Sequence, residues 1–227
     1  MNLINLIFPK KCAYCGEFTG DGAFCGICAA KYEQIKRAPC RECGLAHSLC
    51  RCKAVRLRGE ERASCRHLFA YDGDFAKAII YKLKRKNVSS LQKFFARELA
   101  LLIEEEMHTG EDCIISYAPR AEKAVREYGF DQAEILAREA AKKLSLTAAD
   151  IFVRERSANV QQKTLGAKER EENANASFSL MENVQLNGKT IFLIDDVCTT
   201  GSTVARLSEL ALGAGAERIA VITVAKA

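Results

Sequence analysis

No stretch of this sequence is long and apolar enough to span a membrane. Aromatic residues are sparse, at 7% with no Trp. Few of them fall among the basic residues of the N-terminal part, so base stacking is not indicated there. No side chain stands out as a general base, and no run of residues marks a pocket for one nucleobase. The apolar start, Met1 to Phe8, is short, lacks a basic lead and runs into Pro9-Lys10-Lys11-Cys12. It reads as a docking helix rather than a secretion signal. What the chain does have is 227 residues, 48% of them apolar, enough for one or two domains with a normal core. It also has eleven cysteines. An odd number, mostly in close pairs and without a secretion signal, argues for metal rather than disulfides and for the cytoplasm.

The net charge of +5 is uneven. Residues 1 to 66 hold twelve Lys or Arg against six Asp or Glu, while the remainder holds 22 against 23. That asymmetry suggests an anionic partner for the N-terminal part. Against it, four thiolates around one zinc carry a net charge of about −2, so two such sites would offset most of the excess.

Four cysteine pairs lie between residues 12 and 52: Cys12 with Cys15, Cys25 with Cys28, Cys40 with Cys43, and Cys50 with Cys52. A two-residue gap turns both sulfurs of a tight knuckle toward one ion. Nearby glycines (Gly16, Gly26, Gly44) let the turn close, so that backbone N–H groups reach the thiolates. Eight ligands make two structural Zn2+ sites, either sequential or interleaved. His47 lies close enough to replace a ligand, although a solvated loop histidine is the simpler expectation. So small a segment buries too little to fold alone, and metal supplies its stability. It can serve as a clip or as a contact surface for nucleic acid or protein, with Lys31, Lys36, Arg37, Arg41, Arg51, Lys53, Arg56 and Arg58 available.

Lys53 to Arg62 reads as a charged linker, dividing a cysteine-rich part (1-58) from the rest (63-227). A short strand is expected at His67 to Tyr71. A helical face follows at Phe75 to Leu83, then Ser89-Ser90 as a cap for a helix through Ile103. Lys84, at the end of the first of these helices, suits either the helix dipole or a phosphate. Cys113 to Tyr117 is a strand and Ala118 to Arg126 the loop after it. Asp131 to Glu134 has capping-box spacing and opens a helix through Leu144. Ile151 to Val153 is another strand, and 154 to 176 is polar enough for a mobile arm. Lys189 to Asp195 is the central strand, and Glu217 to Ala225 the last. Strands alternating with helices give an α/β fold with a mostly parallel sheet, whose ligands sit at the carboxyl ends of the strands.

One stretch carries chemistry: Ile191 to Thr203, IFLIDDVCTTGST. Four apolar residues read as a strand buried on both faces. Asp195 and Asp196 follow, then a turn of small hydroxyl residues around Gly201, and then a helix with Val204, Leu207 and Leu210 on one face. Unpaired N–H groups at such a turn, backed by the helix dipole, suit a phosphate monoester, and Thr199, Thr200, Ser202 and Thr203 add hydroxyl donors. The carboxylates suit ribose hydroxyls or a hydrated divalent metal. Phosphate at one end and a sugar diol at the other describe a 5-phosphoribosyl group. The run Asp195-Asp196-Val197-Cys198-Thr199-Thr200-Gly201-Ser202-Thr203 resembles the phosphoribosyl-pyrophosphate (PRPP) loop of type I phosphoribosyltransferases. Cys198, near a helix start, is where a thiolate would be favoured, although a structural role is the simpler expectation; Cys113 reads as a buried strand cysteine.

The order of parts is similar to the ComF family of phosphoribosyltransferase-like competence proteins. The Leu-Ile-Phe-Pro-Lys-Lys-Cys start, the paired cysteines, Ile80 to Lys84, Gly129 to Gln132, Arg154 with Gln162, Arg170 to Asn173, Phe178 and the Asp195 loop carry the resemblance. It implies a type I phosphoribosyltransferase-like sheet flanked by helices behind a small zinc-ribbon module, with residues 117 to 126 as a pyrophosphate loop and 154 to 176 as a hood. Arg120, Lys123, Lys84, Gln162 and Arg170 then join the loop as ligand contacts. One departure stands out: Tyr128 and Asp131 occupy positions where the family has Arg and Asn. An arginine is lost and a carboxylate replaces an amide, so that edge attracts a polyphosphate less unless Arg120, Lys123 and Arg126 compensate.

Two functions follow from the resemblance. One is a binding protein for a PRPP-type ligand that assists single-stranded DNA uptake, alongside a competence helicase. The other is an active phosphoribosyltransferase in which Mg2+ accompanies PRPP and Asp195 and Asp196 hold the ribose.

Overall fold

The structure, a computed structural model, describes residues 10–19, 22–154 and 178–227. The expected hood, with Gln162 and Arg170, and the expected N-terminal docking helix lie outside the described residues.

Five strands form one parallel sheet: β1 (Ala63–Ala70), β2 (Asp112–Tyr117), β3 (Thr147–Ala148), β6 (Lys189–Cys198) and β7 (Arg218–Lys226). The order is β1-β7-β6-β2-β3, which puts β6 in the middle. Ile191 to Ile194 and Ile219 to Val221 are fully buried, as expected of strands covered on both faces. A separate antiparallel pair joins β4 (Phe152–Arg154) and β5 (Phe178–Leu180). The helices are α1 (Gly26–Arg37), α2 (Gly73–Arg85), α3 (Ser89–Glu106), α4 (Glu122–Tyr128), α5 (Gln132–Leu144) and α6 (Ser202–Gly213). Among the described residues, no helix is long and apolar enough to cross a membrane.

Two apolar layers sandwich the sheet. On one side, α2, α3 and α5 press Ile79, Phe95, Leu99 and Leu136 against Phe192, Ile194 and Ile222. On the other, α6 sets Val204, Leu207 and Ala211 against Ile191, Leu193 and Val221. The cysteine-rich segment joins both layers. Phe24 and Tyr32 enter the first, where Tyr32 meets Phe69, Phe94 and Phe95 edge-on at 4.9 to 6.1 Å. Ala54 and Leu57 enter the second. The segment therefore covers the β1 edge of the sheet, an edge that would otherwise present unpaired backbone groups.

Several local expectations are corrected. The strand expected at His67 to Tyr71 spans Ala63–Ala70, and Arg66 within it is buried and paired with Glu105 and Glu106 at 2.6 and 2.9 Å. The Lys53 to Arg62 stretch is not a solvated tether: it holds a 3-10 turn at Val55–Leu57, and Ala54 and Leu57 are buried. Ser89 and Ser90 do not cap α3; they lie inside it, and Val88 holds the cap position without a side-chain bond. The loop after β2 is only 118–121, because Glu122 to Tyr128 closes into the short helix α4. Asp131 does cap α5, accepting from the N–H groups of Ala133 and Glu134. The central strand runs past Asp195 to Cys198, paired with Lys226 of β7.

Candidate functional site

The cysteines fall into two quartets, Cys12, Cys15, Cys25 and Cys28, and Cys40, Cys43, Cys50 and Cys52. Within each, the ligand atoms lie within 4.8 Å of one another. This settles the pairing as sequential rather than interleaved. Cys15 Sγ to Cys25 Sγ and Cys43 Sγ to Cys50 Sγ are both 3.7 Å. Zinc–sulfur bonds of about 2.3 Å require a tetrahedron edge of about 3.8 Å, so the spacing fits zinc. The N–H groups of Glu42 and Cys52 point at Cys40 Sγ and Cys50 Sγ, both at 3.4 Å. Burial would raise the Cys12 and Cys40 thiols, but backbone N–H groups outweigh it and bring them to about 6 and about 7. Burial and neighbouring sulfurs push Cys28 up to about 12. A dication among four sulfurs relieves that repulsion. Elemental analysis of the purified chain is expected to find two zinc ions, and Cys12→Ser or Cys40→Ser to remove one each. A folded protein without zinc would contradict the assignment.

His47 is not the solvated loop residue expected. It is buried, with Nδ1 2.9 Å from Nε2 of the buried His67. Burial lowers the pKa of both rings. The second quartet thus sits on β1 through a neutral imidazole pair rather than borrowing His47 as a ligand.

At the carboxyl end of β6, Asp195 and Val197 to Val204 line a hollow of about 100 Å³. That is the space of about three waters, the scale of a single phosphate group. The turn is set by Gly201, whose φ of 86° is left-handed and which caps α6. Thr199 and Thr200 are exposed, Ser202 and Thr203 half-buried, and Thr200 Oγ1 lies 3.0 Å from Ser202 Oγ.

The two carboxylates are separated by the strand itself, since successive residues point to opposite faces. Asp195 borders the hollow, and its Oδ1 accepts the Asp196 N–H at 2.7 Å. Burial, and next the Asp196 charge, push the Asp195 carboxyl up to about 8. Asp196 is buried on the other side, accepting from Gln132 Nε2 at 2.5 Å and pairing with Lys84 Nζ at 3.0 Å. Lys84, at the last turn of α2, therefore reaches the site but meets a carboxylate there. Gln132 is a site residue that the sequence reading did not single out beyond its place in the Gly129 to Gln132 run. Its Oε1 is buried with no partner among the described residues.

The altered edge is now explicable. Asp131 does not present a bare carboxylate: its oxygens take N–H groups from Arg120 at 2.7 Å and from Ala133 at 2.9 Å. Tyr128 stacks two guanidinium groups, Arg120 at 4.7 Å and Arg85 at 5.4 Å from its ring centroid. Arg85 comes from α2 and also stacks on Tyr81 at 5.1 Å. Arg126 is paired with Glu122 at 3.5 Å, and Lys123 lies on the exposed side of α4.

Cys198 does not favour its thiolate. It is buried, and its hydrogen bond with Cys65, with burial, pushes the thiol up. A larger hollow of about 780 Å³ lies between the second cysteine quartet and the ends of β1 and β7. Its charged walls are paired with each other or with neighbours, Arg41 with Asp72 and Glu42 with Lys226 and Arg58, leaving no evident set aimed at a ligand.

Two family models match, in chain order. The double zinc ribbon domain covers residues 3–68 and the phosphoribosyl transferase domain residues 127–227. Competence protein F of Haemophilus influenzae is 27% identical over 210 residues, covering 89% of this chain and 91% of that protein. The chain resembles these competence and DNA-utilization proteins in both of its parts. DNA utilization protein YhgH of Escherichia coli K12 is 28% identical over 230 residues, covering 95% of this chain and 96% of its own length. The similarity thus runs over most of the chain, zinc ribbon and transferase domain together. Among solved structures, the allosteric regulatory enzyme of purine biosynthesis overlaps 63% of this chain and 30% of its own, at 14% identity and a TM-score of 0.41.

Proposed function

We propose that this ComF-like chain binds a 5-phosphoribosyl ligand of the PRPP type at the carboxyl end of β6 and uses it in handling single-stranded DNA during uptake. The observation that carries the reading is the small hollow at the start of α6, bounded by Asp195 and the turn from Thr199 to Thr203. In this reading the N–H groups of the turn hold the 5′-phosphate, and the hydroxyls of Thr199, Thr200, Ser202 and Thr203 complete its shell. Asp195 accepts from the ribose hydroxyls. Asp196 acts from behind, orienting Lys84 and Gln132. Arg120 and Lys123 approach the pyrophosphate side. Mg2+, when bound with the ligand, supplies charge neutralisation at the pyrophosphate.

Residues 63-227 are the ligand-binding part in this reading. Residues 1-58 are the zinc-bearing part, facing DNA or a helicase partner with their basic side chains. Relatives named for competence and for DNA utilization support the cellular setting. Binding is the primary reading, and transfer of the ribose 5-phosphate to a nitrogenous acceptor is the alternative.

The test is calorimetry of the zinc-loaded chain with PRPP, nucleoside monophosphates and 5′-phosphorylated oligonucleotides, each with magnesium. Saturable binding of PRPP without pyrophosphate release supports the binding protein, and release with an added acceptor supports the transferase. A second prediction concerns DNA. If phosphates are contacted by the basic residues, the affinity for single strands falls linearly in a log–log plot against salt, with a slope of about −0.7 per phosphate neutralised. A flat response would remove the DNA arm of the proposal.

A further inference from the structure

The turn that forms the hollow is not braced by its own domain alone. Val55–Leu57, three residues beyond the last ligand of the second cysteine quartet, packs against it. The N–H of Arg56 donates to the carbonyl of Thr200 at 3.2 Å. A side-chain carbon placed on Gly201 would lie 2.6 Å from Ala54 Cβ and 3.7 Å from Arg56 Cβ. Glycine is thus required at 201 twice over, by its left-handed φ and because Ala54 fills the space where a Cβ would stand. Ala54 and Leu57 share an apolar cluster with Cys198 and Val204, which flank the turn. The other end of the loop is held from the same quarter. Ala227 N–H donates to the Cys198 carbonyl at 2.9 Å, and the neighbouring Lys226 Nζ donates to the Cys52 carbonyl at 3.1 Å.

We propose that the second cysteine quartet, through the Ala54 to Leu57 turn, is a positioning element that holds the Thr199 to Thr203 loop in its ligand-ready shape. A loop of small residues around a glycine has many accessible conformations, and fixing them opposes binding. A brace that fixes them beforehand removes that opposition at the moment of binding. The zinc-bearing segment is therefore part of the site, neither a remote clip nor only a surface for a partner. Ala54 and Leu57 are apolar and packed with the loop's flanks, so they act through it. The ligand arm of this inference rests on the phosphoribosyl reading above; the brace itself does not.

Two measurements on the full zinc-loaded chain test it. In the first, ribose 5-phosphate is titrated into wild type, Gly201→Ala, Ala54→Gly and the double variant. Gly201→Ala is expected to lose at least tenfold in affinity. Ala54→Gly in the same chain, by clearing the contact, is expected to recover threefold or more. A double variant no better than Gly201→Ala would overturn the proposal. In the second, hydrogen exchange is followed in Cys52→Ser. The amides of residues 199–203 are expected to exchange at least tenfold faster while those of 191–194 stay protected, and unchanged loop exchange would overturn the proposal. Should Cys52→Ser unfold the whole chain, the Gly201 and Ala54 pair decides. A wild type that binds no ribose 5-phosphate, yet whose loop is freed in Cys52→Ser, would refute the ligand and keep the brace.

Discussion

Replacing Asp195 and Asp196 together by asparagine is expected to abolish detectable PRPP binding in calorimetry while leaving thermal stability unchanged or raising it. Both carboxylates sit at the end of a central strand, where little but ligand chemistry calls for two negative charges. Asp196 is nine-tenths and more buried, and burial with the Asp196 charge raises the Asp195 carboxyl from 3.8 to about 8. A carboxyl raised in this way destabilises the folded chain wherever it must ionise. The folded state holds a proton that the unfolded state releases, so stability is highest below the unfolded value and is lost as pH rises through the folded one. Wild type should therefore lose melting temperature between pH 3.8 and about 8 beyond what Asp195→Asn loses over the same window. Gain or constancy in stability with loss of binding is the signature of residues kept for a ligand rather than for the fold. Unchanged affinity in the double variant would reject the loop as the site. A steep loss of stability would show the pair to be structural.

Arg66→Ala is expected to destabilise the chain by about 3–5 kcal/mol in denaturant unfolding, the usual consequence of stranding a buried charge. Arg66 is 1% exposed and donates to Glu106 at 2.9 Å, Glu105 at 2.6 Å and the Ser48 carbonyl at 2.8 Å. Glu106 is 4% exposed and also meets Arg51 and Ser64 Oγ. Removing Arg66 leaves Glu106 with the exposed Arg51 and a longer 4.0 Å approach from Arg218, and cuts the tie to the second ribbon at Ser48. Adding Glu106→Leu to Arg66→Met should recover much of the loss, because the pair then leaves no unpaired charge. A cost under about 1 kcal/mol for Arg66→Ala would mean that water reaches Glu106 and the network is a surface one.

These two clusters also show what the sequence made legible. Ile191 to Ile194 and the Asp131 cap could be read directly, because each rests on local physics: a strand covered on both faces and a carboxylate bonding N–H groups two and three residues on. The cysteine pairs were equally plain, since ligand spacing is a local property. Their pairing was not, because it depends on where the chain returns. Arg66 was hidden for the same reason: its partners Glu105 and Glu106 lie some 40 residues away. His47 looked solvated because His67, its buried partner, lies across the fold. The division of labour between Asp195 and Asp196 needed Lys84 and Gln132 to come together from α2 and α5. Tyr128 reads as a weakened edge because Arg85, which stacks on its ring, comes from another helix.

The account's central claim is that the turn from Thr199 to Thr203 seats the phosphate of a sugar phosphate. The most direct measurement is a crystal structure of the full zinc-loaded chain soaked with ribose 5-phosphate. The phosphate oxygens are expected within about 3 Å of the turn's N–H groups, with a ribose hydroxyl bonded to Asp195. A ligand lodged in the larger hollow beside the second cysteine quartet, or N–H groups of the turn already bonded to the protein's own carbonyls, would contradict it.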